Sequence, residues 1–167
     1  AVSHVEERAT VETRVWTQIA AELDRLDPER AAVRILLVHH PLNGTSVQLS
    51  LAEDPGSRKQ LYTMISNNCG ISMVLAGHGH NFEASNVDLG TDKRSLLHVR
   101  AGTARSEDLP KHHTPGLSLI RLGDLSPETW KFESVVVYPF RWDGDKFGAY
   151  ATFEDGVGTS RSFPLRY

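Results

Sequence analysis

The chain has 167 residues, of which 40% are hydrophobic and 23% are charged, and its formal net charge is -3. This composition excludes a disordered chain, and the small, mixed charge excludes a nucleic-acid surface, so we expect one folded unit over residues 1–167. No stretch approaches the ~20 apolar residues that span a bilayer, so we expect no membrane partner. The single cysteine, Cys69, is interpreted as a buried small side chain and fits a reducing, cytoplasmic compartment.

The first half of the chain alternates predicted helices and strands. Hydrophobic residues recur at the helical period before Pro28, and these are Val11, Val15, Trp16, Ile19, Leu23 and Leu26. Arg34 to Val38 is then a short apolar run without polar alternation, which is typical of a strand covered on both faces. A second helix is predicted from Leu61 to its stop at Gly70, and a second buried strand follows.

That second strand, Ile71 to Ala76, is followed by a β-rich region. The predicted strands there are Ala84 to Leu89 and Ser95 to Ala101, which flank a turn at Gly90 to Asp92, and then Gly116 to Leu122, Trp130 to Tyr138 and Phe147 to Phe153. The pattern predicts an α/β fold with a mixed sheet and a β-rich C-terminal part.

Histidines follow both buried strands directly. The first strand leads into His39-His40-Pro41, and the second leads into Gly77-His78-Gly79-His80. Ligands of open α/β sheets bind beyond the carboxyl ends of the strands, and imidazole is a good ligand for zinc, iron or manganese. The repeated layout therefore predicts a metal site. The remaining histidines are interpreted as hydrogen-bonded structural residues, and these are His4, His98, His112 and His113.

The two histidine segments resemble the last two metal motifs of the calcineurin-like metallophosphoesterases, in the same order and with a helix between them. The resemblance covers residues from Arg34 to about Ala104, and the His-His-Pro form is similar to that of the cyclic-nucleotide phosphodiesterase branch. It implies the C-terminal half of a four-layer α/β/β/α sandwich.

The resemblance also implies a chemistry. His39 and His78 would bind one metal ion, His80 would bind the other, and His40 would support the ligands or face the substrate as the catalytic candidate. In this family two divalent or trivalent ions, Mn, Fe or Zn, hold a hydroxide that attacks a phosphomonoester or phosphodiester in line.

The family's earlier motifs are not found in the sequence, which contains no Asp-x-His, Gly-Asp-x-x-Asp or Gly-Asn-His. The chain is therefore interpreted as a fragment that supplies part of the site, binds one metal ion or none, and is inactive alone. The expected partner is the missing N-terminal half, or a second copy, bound to an inner sheet face that the missing half leaves exposed. Two alternatives are a zinc hydrolase with one tri-histidine site and a catalytically inactive interaction module.

Overall fold

A computed structural model describes residues 13–39, 61–77, 82–88, 95–102, 115–149 and 160–165. Helix α1 is Thr13–Leu26, and a helical turn at 61–63 continues into a π-helix, Met64–Asn68. The strands are β1 (Ile35–Val38), β2 (Met73–Ala76), β3 (Glu83–Asp88), β4 (Ser95–Arg100), β5 (Gly116–Leu122), β6 (Ser134–Trp142), β7 (Phe147–Ala149) and β8 (Arg161–Pro164).

The strands form two sheets. Sheet A has the order β1-β2-β4-β3, in which β1, β2 and β4 are parallel and β3 is antiparallel to β4. Sheet B is antiparallel, with the order β5-β6-β7 and with β8 also paired to β6. The predicted α/β fold, its mixed sheet and its β-rich C-terminal part are confirmed.

The two faces of sheet A are covered by different layers. On one face, α1 and the π-helix enclose a core of Trp16, Tyr62, Ile65, Cys69, Ile71, Val74 and Leu96. On the other face, the apolar side chains of β2 and β4 pack against sheet B in a second core of Met73, Leu97, Val99, Val135, Val137, Phe163 and Leu165. The sequence predicted that the inner face of this sheet is exposed to solvent. Over β2 and β4 that prediction is wrong, because the chain's own C-terminal strands cover this face.

Strand β1 also differs from its prediction. Leu36 and Val38 pack against the helical layer as expected. Ile35 and Leu37, on the opposite face, are 45% and 74% exposed. Among the described strands β1 pairs only with β2, so it is an edge of sheet A. The apolar run correctly predicted a strand, but its outward face lacks the cover that β2 and β4 receive.

The β5–β6 connection explains a second difference. The predicted strand from Trp130 to Tyr138 begins only at Ser134, because residues 123–133 form a loop that is closed by a bridge between Leu125 and Phe132. Trp130 adopts a left-handed φ of 55° and is 74% exposed. The short strand β8 was not predicted. The turn at Gly90 to Asp92 and the end of the predicted Phe147 to Phe153 strand lie outside the described residues.

Arg34 fixes the helical layer to sheet A. Its buried guanidinium donates hydrogen bonds to the carbonyl oxygens of Leu23, Asp27 and Cys69, at 3.1, 2.6 and 2.8 Å. It also forms ion pairs with the carboxylates of Asp24 and Asp27. A cation is favourable at the C-terminal end of α1, where backbone carbonyls lack helical partners. This arrangement holds the start of β1, and therefore the strand that leads to His39.

In the part of the chain that the structure describes, no helix is long and apolar enough to cross a membrane.

Candidate metal site at the strand ends

The parallel strands of sheet A bring their carboxyl ends to one edge. Val38 of β1 is paired in register with Ala76 of β2, and Ala76 is paired with Arg100 of β4. The antiparallel strand β3 begins at the same edge, where Glu83 lies opposite Arg100. We call this the carboxyl edge of sheet A. Both histidine motifs start there, as the sequence predicted.

His39 and Gly77 are neighbours at this edge. The backbone N–H of Gly77 donates a hydrogen bond to the carbonyl oxygen of His39 at an N···O distance of 3.1 Å. A Cβ atom placed on Gly77 would lie 3.9 Å from Nδ1 of the exposed His39 ring. The imidazole of the first motif therefore lies against the first residue of the second motif.

The other predicted site residues, His40, His78 and His80, lie outside the described residues. The metal roles of His78 and His80 and the catalytic role of His40 stay predictions. In the sequence, His78 directly follows Gly77, the neighbour of His39 at this edge.

The donor set at this edge is compatible with a transition metal but incomplete in the described residues. No group of three or more His, Cys, Asp or Glu that could hold an ion occurs within them. His39 is the described imidazole at the edge, and Glu83 is a carboxylate there. Imidazole nitrogen suits zinc, iron or manganese. Of the three predicted ligands, the described residues include His39 alone, and its metal role stays a prediction.

Glu83 is a residue at this edge that sequence reasoning missed. Its Oε2 forms an ion pair with Nη2 of Arg100 at 2.7 Å, and its Oε1 accepts a hydrogen bond from the Ser85 hydroxyl at 3.3 Å. The Arg100 side chain is 8% exposed and the Glu83 side chain 29%. The available signal was positional, because Glu83 follows His80 by three residues at the start of a strand.

His98 was interpreted as a hydrogen-bonded structural residue; it lies in β4, within the predicted strand from Ser95 to Ala101, and is fully buried. Burial, together with the nearby positive charge of Arg100, lowers the pKa of His98 from 6.5 to about 4. The imidazole is therefore neutral at physiological pH. Its register partners are Val74 and Ser85, within the sheet rather than at its carboxyl edge, so it belongs to the core and not to the candidate site.

No family profile matches the sequence, and no curated protein matches it significantly. Solved structures do match. The similarity is to Vps29. Vacuolar protein sorting 29 from Cryptosporidium parvum is 20% identical, with a TM-score of 0.39, over 67% of this chain and 45% of that one. Zinc-complexed Vps29 from Entamoeba histolytica is 12% identical, with a TM-score of 0.38, over 66% and 47%. A single mutant of the Entamoeba protein is 12% identical, with a TM-score of 0.39, over 98% and 95%.

The present chain thus matches less than half the length of the first two structures and nearly all of the third. At these identities and TM-scores the likeness carries no argument about the family or the activity of this chain. The functional argument depends on the chain's own residues.

Proposed function

We propose that the chain forms part of a metal-dependent phosphoesterase of the calcineurin-like superfamily. In this proposal His39 and His78 bind one ion, His80 binds a second, and His40 supports these ligands or faces the substrate. The complete site takes two divalent or trivalent ions, Mn, Fe or Zn, and this chain alone holds one or none. The substrate class is a phosphomonoester or a phosphodiester.

One observation carries the proposal. Strands β1 and β2 are parallel and in register, and the Gly77 N–H to His39 carbonyl hydrogen bond continues their pairing to the start of both histidine motifs. His39 and Gly77, the first residues of the two histidine motifs, are thus neighbours at the edge where ligands of open α/β sheets bind.

The residues of the chain determine which part of the chemistry it can perform. Metal ions bound at the carboxyl edge would polarise a phosphoester and activate water for its hydrolysis. His39 is exposed at this edge. Three neutral histidines do not offset the charge of two dications, so bridging carboxylates must come from elsewhere. We infer that a complementary polypeptide supplies them, either the N-terminal half of the domain or a second copy.

Metal content tests this proposal. The purified chain, its His39→Ala and His78→Ala variants and a His112→Ala control are equilibrated with Zn²⁺ or Mn²⁺, and bound metal is counted by mass spectrometry. Loss of bound metal in the first two variants but not in the control would support the site. Retention of metal by both motif variants would overturn it. Hydrolysis of bis(p-nitrophenyl) phosphate should be weak or undetectable for the chain alone.

A second candidate function, an inactive interaction module, is favoured by the surface of sheet B. Large apolar residues are exposed on its strands, at Leu117, Leu119, Leu122 and Phe147, and on its β5–β6 loop, at Leu125 and Trp130. The same metal measurement separates the candidates, because a metal-free chain at saturating Zn²⁺ or Mn²⁺ supports the module. One zinc ion per chain with measurable hydrolysis supports a mononuclear tri-histidine hydrolase instead.

A further inference from the structure

Sheet B is apolar on both faces, although only one of them packs against sheet A. Side chains alternate between the two faces of a strand, and the face turned toward sheet A carries Ile120, Val135 and Val137 of the second core. We call the opposite face the outer face of sheet B. It carries three cross-strand pairs, Leu117–Phe140, Leu119–Tyr138 and Trp142–Phe147. Both described helical segments pack on sheet A, and Leu119 on the outer face of sheet B is 56% exposed.

The sequence of β6 lacks the alternation that a solvated face produces. An antiparallel sheet with one face in water normally alternates apolar and polar residues. From Val135 to Phe140 the chain reads Val-Val-Val-Tyr-Pro-Phe, so both faces of the strand are apolar. On the outer face the rings of Trp142 and Phe147 meet edge to face, with centroids 5.2 Å apart. Aromatic residues are enriched in protein interfaces, so this face suits a further protein layer.

Opposite charges lie at the two ends of the outer face. Arg121, which is paired with Val136, lies on this face near the start of β6. At the other end, the turn between β6 and β7 carries Asp143, Asp145 and Lys146. The Asp143 carboxylate accepts hydrogen bonds from the N–H groups of Asp145 and Lys146 at 2.9 and 3.0 Å, so it holds the turn. Arg121 and Asp145 are exposed.

We propose that the outer face of sheet B is a homodimer interface, on which the same face of a second copy packs with its strands antiparallel. Sheets that pack face to face lie about 10 Å apart, and a two-fold interface joins the same surface of both copies. A two-fold axis that lies between the sheets and crosses β6 at a right angle places Arg121 of each copy against the acidic turn of the other. An axis along the strands places the two Arg121 residues at the same end, where they repel. Charge complementarity therefore selects the antiparallel arrangement.

This interface is independent of the proposed metal site. The inner face of sheet B packs against sheet A, so a second copy on the outer face lies on the side away from sheet A. The interface is also separate from the exposed face of β1, which carries Ile35 and Leu37. It names a partner for the interaction module, and we expect it to form with or without bound metal.

Sedimentation velocity at a series of chain concentrations tests the interface. The parent chain should dimerise reversibly as its concentration rises. Leu119→Lys places a charge in the middle of the outer face and should leave the chain monomeric. Leu37→Lys is the matched control, because Leu37 is even more exposed, at 74%, but lies on β1 of sheet A, and this variant should dimerise like the parent chain. Circular dichroism checks that both variants are folded.

A charge exchange tests the antiparallel arrangement. Arg121→Asp and Asp145→Arg each place like charges together and should raise the dissociation constant of the dimer by about 10-fold or more. The double variant with both substitutions restores opposite charges across the interface, so it should recover the dissociation constant of the parent chain. A double variant weaker than either single variant would overturn the arrangement.

Two results would overturn the interface itself. One is a parent chain that stays monomeric at millimolar concentration. The other is a dimer that Leu37→Lys dissociates and Leu119→Lys leaves intact, which would place the contact on sheet A. Neither result bears on metal binding, which the metal counts measure separately.

Discussion

The N–H of Gly77 donates a hydrogen bond to the carbonyl oxygen of His39, and this bond joins the two histidine motifs by the backbone alone. The space beside Gly77 is also limited, because a Cβ atom there would lie 3.6 Å from the His39 oxygen and 3.9 Å from its ring nitrogen. These are ordinary van der Waals distances. A methyl group therefore fits, but a branched side chain would meet the imidazole.

Gly77 gives the first prediction. We expect Gly77→Ala to retain the Zn²⁺ affinity of the parent chain, whereas Gly77→Leu should lower it by an order of magnitude or more, since the leucine side chain displaces the His39 ring. Isothermal titration with Zn²⁺ measures both variants. Equal affinities for the alanine and leucine variants would mean that His39 does not bind metal in the position described. Circular dichroism of both variants checks that the sheet is intact.

Arg34 gives the second prediction, which concerns stability. Arg34→Met removes the donors to three backbone carbonyls between α1 and the π-helix, and at least one of these becomes a buried acceptor without its partner. The free energy of unfolding should fall by about 1–3 kcal/mol, the cost of leaving a buried carbonyl without its donor. Urea titration measures it.

The control for Arg34 is Arg25→Met on the same helix. Arg25 forms an exposed ion pair with Glu22 one turn away, and exposed pairs contribute little to stability. The urea midpoint of this variant should match that of the parent chain. If the Arg34 and Arg25 variants unfold at the same urea concentration, the connection through Arg34 does not support the domain.

The sequence predicted the strands of sheet A and the helices that pack on it well, because burial of one face determines their apolar patterns. Trp16 and Val74 occupy the first core that the periodicity indicated, and Gly70 ends the second helical segment with a φ of 63°. The exposed face of β1 was not predictable, because an apolar run has the same composition in a central strand and in an edge strand. Whether Leu37 is covered depends on how far sheet B extends, which is a tertiary property.

The position of the candidate site could be predicted from the sequence, but the presence of Glu83 beside it could not. The two histidine motifs were evident because each follows an apolar run, and parallel pairing of the strands is the common arrangement in an α/β sheet. Glu83 carries no such local signal. Its place at this edge depends on its antiparallel pairing with Arg100, a register that the sequence does not specify. The burial of His98 was missed for the same reason, since a polar residue inside a strand is ambiguous.

His98 gives the third prediction, a pH dependence of stability. In the unfolded chain its pKa returns to 6.5, whereas in the folded chain burial and Arg100 lower it to about 4. Between these values the unfolded state binds more protons, so the free energy of unfolding decreases as the pH falls from 6.5 to 4. The difference between the two pKa values corresponds to about 3 kcal/mol.

Urea titrations at several pH values measure this dependence. His98→Gln should lose the part of the decrease that occurs between pH 6.5 and 4, while His39→Gln should retain it because His39 is exposed. A His98→Gln profile parallel to that of the parent chain would show that His98 does not titrate with a lowered pKa in the folded state.

The last prediction concerns the close approach of two strands in sheet B. A Cβ atom on Gly123 would lie 2.0 Å from the hydroxyl oxygen of Ser134 and 3.0 Å from its carbonyl oxygen. The hydroxyl can rotate away, but the carbonyl cannot, because it accepts the Gly123 N–H at 2.7 Å and so holds the start of β6 against the end of β5. Gly123→Ala must therefore separate the strands, at a cost of about 1–3 kcal/mol, which is typical of overpacking. Gly148→Ala is the matched control, because no atom lies within 4 Å of its added methyl group, and it should be neutral or slightly stabilising. The double variant Gly123→Ala with Ser134→Gly removes only the side-chain part of the clash, so it should recover part of the loss and not all of it. Thermal unfolding midpoints of the parent chain, the two single variants and the double variant measure these effects. Equal midpoints for Gly123→Ala and Gly148→Ala would mean that the β5–β6 connection is not closely packed at Gly123.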